Sequence, residues 1–462
     1  MGLKFRIFTR LTMYDAETIT AISTPPGSGA IALIRSSGPN ALKVVATVAP
    51  SLPSNLVARK AYFVPLQDAE GQIDEAVVTV FPAPHSYTGE DVVEISVHGS
   101  TYVQQRLLEA MLRAGSRLAK PGEFTQRAYL NRKLDLSQAE AVADLIASQS
   151  AAAHKLALQQ LRGGYSERIE ELRQRLIDFS ALIELELDFG EEDVEFAKRD
   201  DLLALINELI AICSELINSF RYGNAVKQGV PVAIIGAPNS GKSTLLNTLL
   251  KEDRAIVSDI PGTTRDTVEE TITIGGVLFR FIDTAGIRET GDTIENLGIE
   301  RSYKKAMTAS IVVLLGDATV MNEDAFRLQA NMLRERIGSG PQLIPVLNKV
   351  DLPEAKTGGA VMAISAKTGA GMEELTDAFV EHIQALKDGD GDIVVTNVRH
   401  VEALGHARQA LHEARLAIGK GVSGDLLAID LRRAQHHLGE ITGKITPDDL
   451  LGSIFGKFCI GK

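Results

Sequence analysis

Residues 236–243 read GAPNSGKS, an instance of G-x-x-x-x-G-K-[ST] set directly after the apolar run VPVAIIG and directly before KSTLLNTLL. That placement restricts the chain more than any other feature. Such a loop needs a buried strand to deliver it and a helix to leave it, because its backbone N–H groups must converge on one anion at the helix N-terminus. Gly236 and Gly241 let the backbone close in, Lys242 offers charge to the β and γ groups of a nucleoside triphosphate, and the Ser243 hydroxyl faces Mg²⁺. The alternation continues through EETITIGG, VLFRFIDTAG, SIVVLLGD, QLIPVLNKVD and AVMAISAKTG, with helical stretches between. That is the pattern of a mainly parallel sheet covered by helices.

Further motifs follow in order. GTTRD (262–266) offers Thr264 as a second hydroxyl for Mg²⁺, and in DTAG (283–286) Asp283 can hold the metal through water while the Gly286 amide reaches a γ-phosphate. NKVD (348–351) ends a later strand, and the Asp351 carboxylate can accept from both N1–H and the 2-amino group of guanine. Adenine lacks that donor pair and would leave a buried charge unpaired, a mismatch that rejects an analogue by ~10⁴–10⁵. SAK (365–367) can back the guanine O6 through amides. The expected nucleotide positions are Asn239, Ser240, Gly241, Lys242, Ser243, Thr244, Ser258, Thr263, Thr264, Asp283, Thr284, Ala285, Gly286, Asn348, Lys349, Asp351, Ser365, Ala366 and Lys367. The set predicts a GTPase, with Lys242 also in a catalytic role. After DTAG comes Ile287, where Ras-like enzymes keep a water-orienting glutamine, so the positioning group must come from elsewhere; Glu289, Asp292, Glu295 and Glu300 are near in sequence.

Around this segment the texture changes. Residues 17–120 mix strand-like runs with Pro/Gly turns (TITAIST, AIALIRSSG, EAVVTVFPAP, DVVEISVHGS), then the helical TYVQQRLLEAMLRAG. In 92–98, Val93, Ile95 and Val97 share one face and leave Glu94, Ser96 and His98 on the other. Residues 134–222 run as long helices: LSQAEAVADLIAS begins with a capping box of Ser137 and Glu140, and DLLALINELIAICSELINSF presents one apolar face with Cys213 inside it. After 388 the pattern returns to amphipathic helix. Both helical stretches need a partner, so the economical arrangement is one helical domain with the sheet domain inserted into it.

The net charge of −12 argues against a surface coated with basic residues, though not against a local basic groove. Two cysteines provide no disulfide framework and point to a reducing, cytoplasmic setting. No apolar run of about 18 residues is expected to span a membrane. Residues 1–12 read as an unstructured extension, with Met13 a possible start.

The stretches TPPGSGAIALIRSSG, SYTGEDVVEISVHG, PGEFTQRAYLNRKLDLSQAEAVADLI, GAPNSGKSTLLN, DIPGTTRD, DTAGIRET and the closing FCIGK together resemble the MnmE (TrmE) family of tRNA-modification GTPases, from about residue 15 to Lys462. The resemblance implies a multidomain α/β and α chain. Its parts are an N-terminal α+β folate-binding and dimerisation domain (13–132), an all-α helical domain (133–226 and 389–462), and an inserted Ras-like P-loop α/β GTPase domain (227–388). It implies a homodimer working with the FAD protein MnmG (GidA) on the C5 position of the wobble uridine of tRNA, with a tetrahydrofolate derivative (5-formyl or 5,10-methylene) supplying one carbon. It also implies a K⁺ site from Asn239, Ser258, Ile260 and Thr263, Glu295 as the water-orienting group, and folate contacts from Arg35, Glu94, Lys133 and Lys462.

Cys459, fourth from the end, could suggest prenylation, yet Gly461 is not aliphatic, Lys462 is an unusual last residue and no polybasic stretch accompanies it. Beside Lys457 and Lys462 its thiolate would be favoured, and we expect it to join the uridine chemistry, as nucleophile or by positioning. The histidines lack ligand spacing, and no transition metal is expected. Arg113, Arg117, Lys120, Arg127, Arg132 and Lys133 form a hypothetical tRNA face or a solvated surface. Two other functions compete: an Era-like ribosome-assembly switch, which would carry a basic RNA-binding module after the GTPase domain, and a stand-alone folate enzyme regulated by GTP.

Overall fold

The computed structural model describes residues 17–188, 198–253, 270–282, 306–387, 393–420, 422, 424–446 and 448–462. The described residues fall into two compact units, one drawn from the ranges Met1–Ala143, Gln160–Arg173 and Leu438–Lys462, the other from Asp144–Gln159 and Gln174–His437.

The first unit is built on β1 (Ile19–Ile22), β2 (Ile31–Ser37), β3 (Ala61–Asp68), β4 (Gly71–Phe81), β5 (Val92–His98) and β6 (Arg117–Leu118), in the order β3-β4-β5-β2-β1-β6. Neighbours are antiparallel except β1 and β6. One face buries Ile34, Val64, Leu66, Val78, Val80, Val93, Ile95 and Val97 against Val44, Val45 and Val48 of α1 (Ala41–Val48) and Leu107 and Met111 of α2 (Thr101–Arg113). The alternation expected at 92–98 is therefore the one observed. β3 lies outside the strand runs read from the sequence because Pro65 interrupts it; as an edge strand it has a side where no ladder donor is needed.

α3 (Glu123–Leu130) and α4 (Leu136–Ala147) follow. The capping box sits two residues earlier than expected: Asp135 Oδ1 accepts from the Gln138 amide (2.8 Å) and Gln138 Oε1 from the Asp135 amide (2.9 Å). Ser137 is instead buried inside the helix, where its hydroxyl accepts from Gln160.

The second unit holds β7 (Val230–Gly236), β8 (Glu270–Ile274), β9 (Val277–Phe281), β10 (Ile311–Asp317), β11 (Gln342–Asn348) and β12 (Met362–Ala363), ordered β12-β11-β10-β7-β9-β8. All pairs are parallel except the β8–β9 hairpin. α5 (Ala151–Leu161), α6 (Gly164–Asp188) and α7 (Arg199–Gln228) precede this sheet. Within it run α8 (Lys242–Asp253), α9 (Glu323–Ile337) and α10 (Met372–Ala385); α11 (Val398–Gly419), α12 (Gly424–Thr442) and α13 (Asp448–Phe455) follow. α7 and α11 meet: Arg408 and Arg415 donate to Ser214 and Asn207 (3.3 Å each), and the Val395 amide donates to Ser219 Oγ (3.0 Å). The sheet thus lies in the sequence between two helices that pack on one another.

α7 corrects one expectation. It is long and apolar enough, with mean hydropathy 1.5 over an 18-residue window, to cross a membrane by length and composition alone. Its apolarity has another use here, since Leu202, Leu205, Leu209, Cys213 and Leu216 are buried at helical spacing. Burial pushes the Cys213 thiol up to about 12, as expected of a packing cysteine.

Candidate functional site

The loop after β7 holds Asn239 at φ 60° and Gly241 at φ 98°. A Cβ on Gly241 would run into the Asn348 side-chain amide, and one on Gly236 into the Leu315 carbonyl and, at 2.8 Å, Ser240 Oγ. Both glycines are therefore required by close approach. Lys242, the first residue of α8, turns back so that its Nζ donates to the Gly236 and Ala237 carbonyls at 2.8 Å each. Burial pushes its pKa down, and among the described residues its charge rests on these two neutral carbonyls, where an anion would be a better partner. Ser240 Oγ is buried and has no hydrogen-bond partner among the described residues. The orphaned hydroxyl, the underpaired lysine and the narrow glycine-lined loop fit a phosphate chain. Ser243 and Thr244 lie in the first turn of α8, where the Ser243 hydroxyl suits a Mg²⁺ otherwise held by phosphates and water.

Asn348, at the end of β11 and 3% exposed, ties three loops together. Its Nδ2 donates to the Ser240 carbonyl (2.9 Å) and its Oδ1 accepts from the Ala366 amide (2.9 Å). Ser365 Oγ donates to Asp351 Oδ1 (2.7 Å), orienting that carboxylate, while Lys367 is exposed. Two residues here escaped sequence reasoning. Thr248 of α8 donates to the Ala366 carbonyl (2.6 Å), and Asp317 at the end of β10 takes the Lys349 ammonium (2.6 Å). Asp317 could have been noticed as the acid closing SIVVLLGD; nothing in the sequence marks Thr248. Ser258, Ile260, Thr263, Thr264, Asp283, Thr284, Ala285, Gly286, Ile287, Glu289, Asp292, Glu295 and Glu300 lie outside the described residues.

In the first unit, register places Arg35 of β2 opposite Glu94 of β5. Arg35 Nε and Nη2 both reach Glu94 Oε1, at 3.0 and 2.8 Å, and the guanidinium lies 5.4 Å from the Tyr87 ring centre and 5.7 Å from that of Phe124. The chain's last residues arrive at the same helix start. The Gly122 amide donates to the Cys459 carbonyl (3.3 Å), the Phe124 amide to the Lys462 carbonyl (3.2 Å), and Ser23 Oγ to the Gly461 carbonyl (3.1 Å). Gly461 has φ 94°, and a Cβ there would strike the Ile22 carbonyl. Behind the tail, Phe455 packs with Leu136, Ala139 and Leu451. Arg35, Glu94 and the backbone of Lys462 are thus joined through Phe124, and Cys459 is exposed. Lys133 is held separately, its Nζ donating to the Pro84 carbonyl (3.0 Å).

The first turn of α3 is fixed by buried charge. Glu123 accepts from Arg117 (2.6 and 2.8 Å), the Lys120 amide (2.8 Å) and Arg127 (3.0 Å), and Arg127 also holds Glu90 (2.9 Å). Burial pushes the Glu123 carboxyl up, but the Arg117, Lys120 and Arg127 donors outweigh it and bring the pKa to about 2. Of the basic face considered above, Arg117 and Arg127 are committed to these carboxylates, while Arg113 stays largely exposed, 3.7 Å from Asp68 and from Glu109.

A parallel sheet whose strand ends hold a phosphate-type loop tied by an asparagine to a base-type loop has the layout of a P-loop GTPase domain. The comparisons agree and go further. The family profile "GTP-binding protein TrmE N-terminus" matches residues 18–133, and "MnmE helical domain" matches 136–459. The tRNA modification GTPase MnmE of Christiangramia forsetii is 48% identical over 96% of this chain and 99% of its own. The proteins of that name from Cytophaga hutchinsonii and Parabacteroides distasonis are each 50% identical over 96% of this chain, covering 98% and 100% of theirs. The chain belongs to the MnmE family of tRNA modification GTPases.

Proposed function

We propose that this GTPase works as a homodimer with an FAD-dependent MnmG-type partner in the cytoplasm. It installs an aminomethyl or carboxymethylaminomethyl group at C5 of the wobble uridine of certain tRNAs. Residues 13–132 form the folate-binding and dimerisation domain, 133–226 and 389–462 the helical domain, and 227–388 the inserted GTPase domain. Tetrahydrofolate, when bound, supplies a one-carbon unit. Glu94 would accept from a pterin's amino and ring N–H donors, and Arg35, Lys133 and Lys462 would meet its carboxylates. Cys459 acts on the uridine side of that pocket. In the GTPase domain Lys242 and the loop amides bind the phosphates, Ser243 and Thr264 serve Mg²⁺, Asn239, Ser258, Ile260 and Thr263 serve K⁺, and Glu295 orients water. K⁺ would supply the transition-state charge that an arginine finger gives elsewhere. Asp351 selects guanine.

The observation that carries this reading is the docking of residues 459–462 on the first turn of α3, next to the ring that underlies Arg35. The Era-like alternative is not favoured, because helices α11–α13 and the family match occupy the chain after the GTPase segment. The test is mass spectrometry of wobble uridines from cells lacking the protein, complemented with Glu94→Gln or Cys459→Ser. Both variants are expected to leave the uridine unmodified; full modification by Cys459→Ser would end the nucleophile role. A GTPase rate equal in KCl and NaCl would remove the K⁺ site. In Asp351→Asn the amide can donate to the C2 carbonyl of xanthine, so preference should move from guanine to xanthine nucleotides.

A further inference from the structure

Lys349 follows Asn348 out of β11 with its backbone at φ 68°, a left-handed conformation that a lysine adopts only when its surroundings impose it. Its Nζ lies 2.6 Å from Asp317 Oδ2. Asp317 is the last residue of β10 and stands in register with Asn348. Its other oxygen, Oδ1, accepts from the Thr319 amide (3.0 Å) and the Thr319 hydroxyl (2.7 Å), so the carboxylate is fixed on both sides. The turn is locked further: the Ala318 amide donates to the Asn348 carbonyl (3.0 Å) and the Lys356 amide to the Ala318 carbonyl (2.8 Å). Burial raises the Asp317 pKa, but donation from Lys349 and Thr319 outweighs it and keeps the group ionised.

A lysine side chain is a flexible four-carbon stem with a point charge at its tip. Such a stem can lie flat over a purine only if the tip is tethered; otherwise the ammonium is drawn toward the nearby phosphates or into water. We propose that Asp317 is a positioning residue for the nucleotide base: it tethers the Lys349 ammonium so that the lysine stem stays against the face of guanine. The proposal rests on the reading of residues 348–351 as the guanine site. It assigns Asp317 no contact with the nucleotide. Neutralising the lysine also keeps the base end from competing with Lys242 for the triphosphate.

The test uses the full chain, with fluorescent GDP titration and steady-state GTP hydrolysis. Asp317→Asn keeps the shape and removes the charge. It should raise the Kd for GDP and the KM for GTP about tenfold or more, leaving kcat at saturating GTP within about twofold. Asp317→Glu should recover part of the affinity, which a merely structural loss would not allow. Lys349→Met should weaken binding too, and adding Asp317→Asn to it should bring no further loss, because the two act as one unit. Unchanged GDP affinity in Asp317→Asn, or full additivity with Lys349→Met, overturns the proposal. If Asp317→Asn does not fold, Thr319→Val frees the same carboxylate from one side and should weaken GDP about threefold; no change overturns the proposal. The underlying reading fails separately, if Asp351→Asn keeps guanine over xanthine.

Discussion

The two sheets hold their candidate sites in opposite ways. The parallel sheet of the second unit presents its site at its strand ends and in the loops beyond them, where Gly236 and Asn348 close β7 and β11 and Ser365 follows β12. Those loops are bound mainly by neutral hydrogen bonds converging on one side chain, Asn348. The antiparallel sheet of the first unit presents Arg35 and Glu94 in the middle of two strands and imports the rest from far away in sequence. What fixes that import is charge: Glu123 with Arg117 and Arg127 sets the helix start on which the tail rests. A site at strand ends can be made by loops alone, whereas a site on a sheet face needs another part of the chain to wall it.

This contrast ranks the expected effects of mutation. Glu123→Ala should be the most severe, since it takes a buried carboxylate from two guanidinium groups, leaving the almost fully buried Arg127 with Glu90 and Arg117 with Glu17; a loss of ~3–5 kcal/mol in urea unfolding is expected. A loss below ~1 kcal/mol would break the comparison, because charge would then not be what holds the first site. The same residue sets a pH dependence. With its carboxyl lowered from 4.5 to about 2, its contribution is full above pH 4.5 and is lost as pH falls toward 2. Glu123→Gln should abolish that part of the acid profile.

Next comes Asn348→Ala, which leaves the Ser240 carbonyl and the Ala366 amide without their partner. At ~1–3 kcal/mol for each stranded group, GDP affinity should fall about a hundredfold with only a modest change in melting temperature. Affinity within threefold of the parent would mean that the loops are held by something other than this one side chain.

The same contrast decides what the sequence could reveal. The nucleotide loops were legible because each is a few consecutive residues following an apolar strand, so GAPNSGKS and NKVD carry both their chemistry and their placement. The succession of strands and helices in the second unit followed from the alternation of apolar runs, whereas the order of strands within the sheet did not. Thr248 was not legible, since a hydroxyl inside a helix has many ordinary uses; Asp317 was visible as the acid closing SIVVLLGD, but its pairing with Lys349 was not. In the first unit Glu94 stood out by alternation, but the partners of Arg117 and Arg127 did not: spacing along a chain shows where cations cluster, not which carboxylates consume them. The displaced capping box taught a smaller lesson. Two overlapping cap patterns existed at 135–140, and the structure used the one whose helix start left Ser137 free to receive Gln160.

Gly461→Ala should act more locally, by about 1–3 kcal/mol, from the left-handed backbone and the collision with the Ile22 carbonyl. Faster hydrogen exchange at the Gly122 and Phe124 amides is the readout. Exchange at parental rates would show that the tail is held from behind, by Phe455, rather than by fit at its tip.

Ser23→Ala should have the smallest effect and divides that last question most finely. Ser23 is already placed without the tail, because its amide donates to the Leu33 carbonyl (2.7 Å). Removing the hydroxyl therefore deletes one bond, to the Gly461 carbonyl at 3.1 Å, and leaves the surface that Gly461 fits intact. The expected loss of ~0.5–1.5 kcal/mol corresponds to a two- to twelvefold rise in exchange at Phe124. An effect as large as that of Gly461→Ala would mean that the hydroxyl, and not the close fit of the glycine, holds the tip; the first unit's site would then depend on a neutral hydrogen bond as the nucleotide loops do.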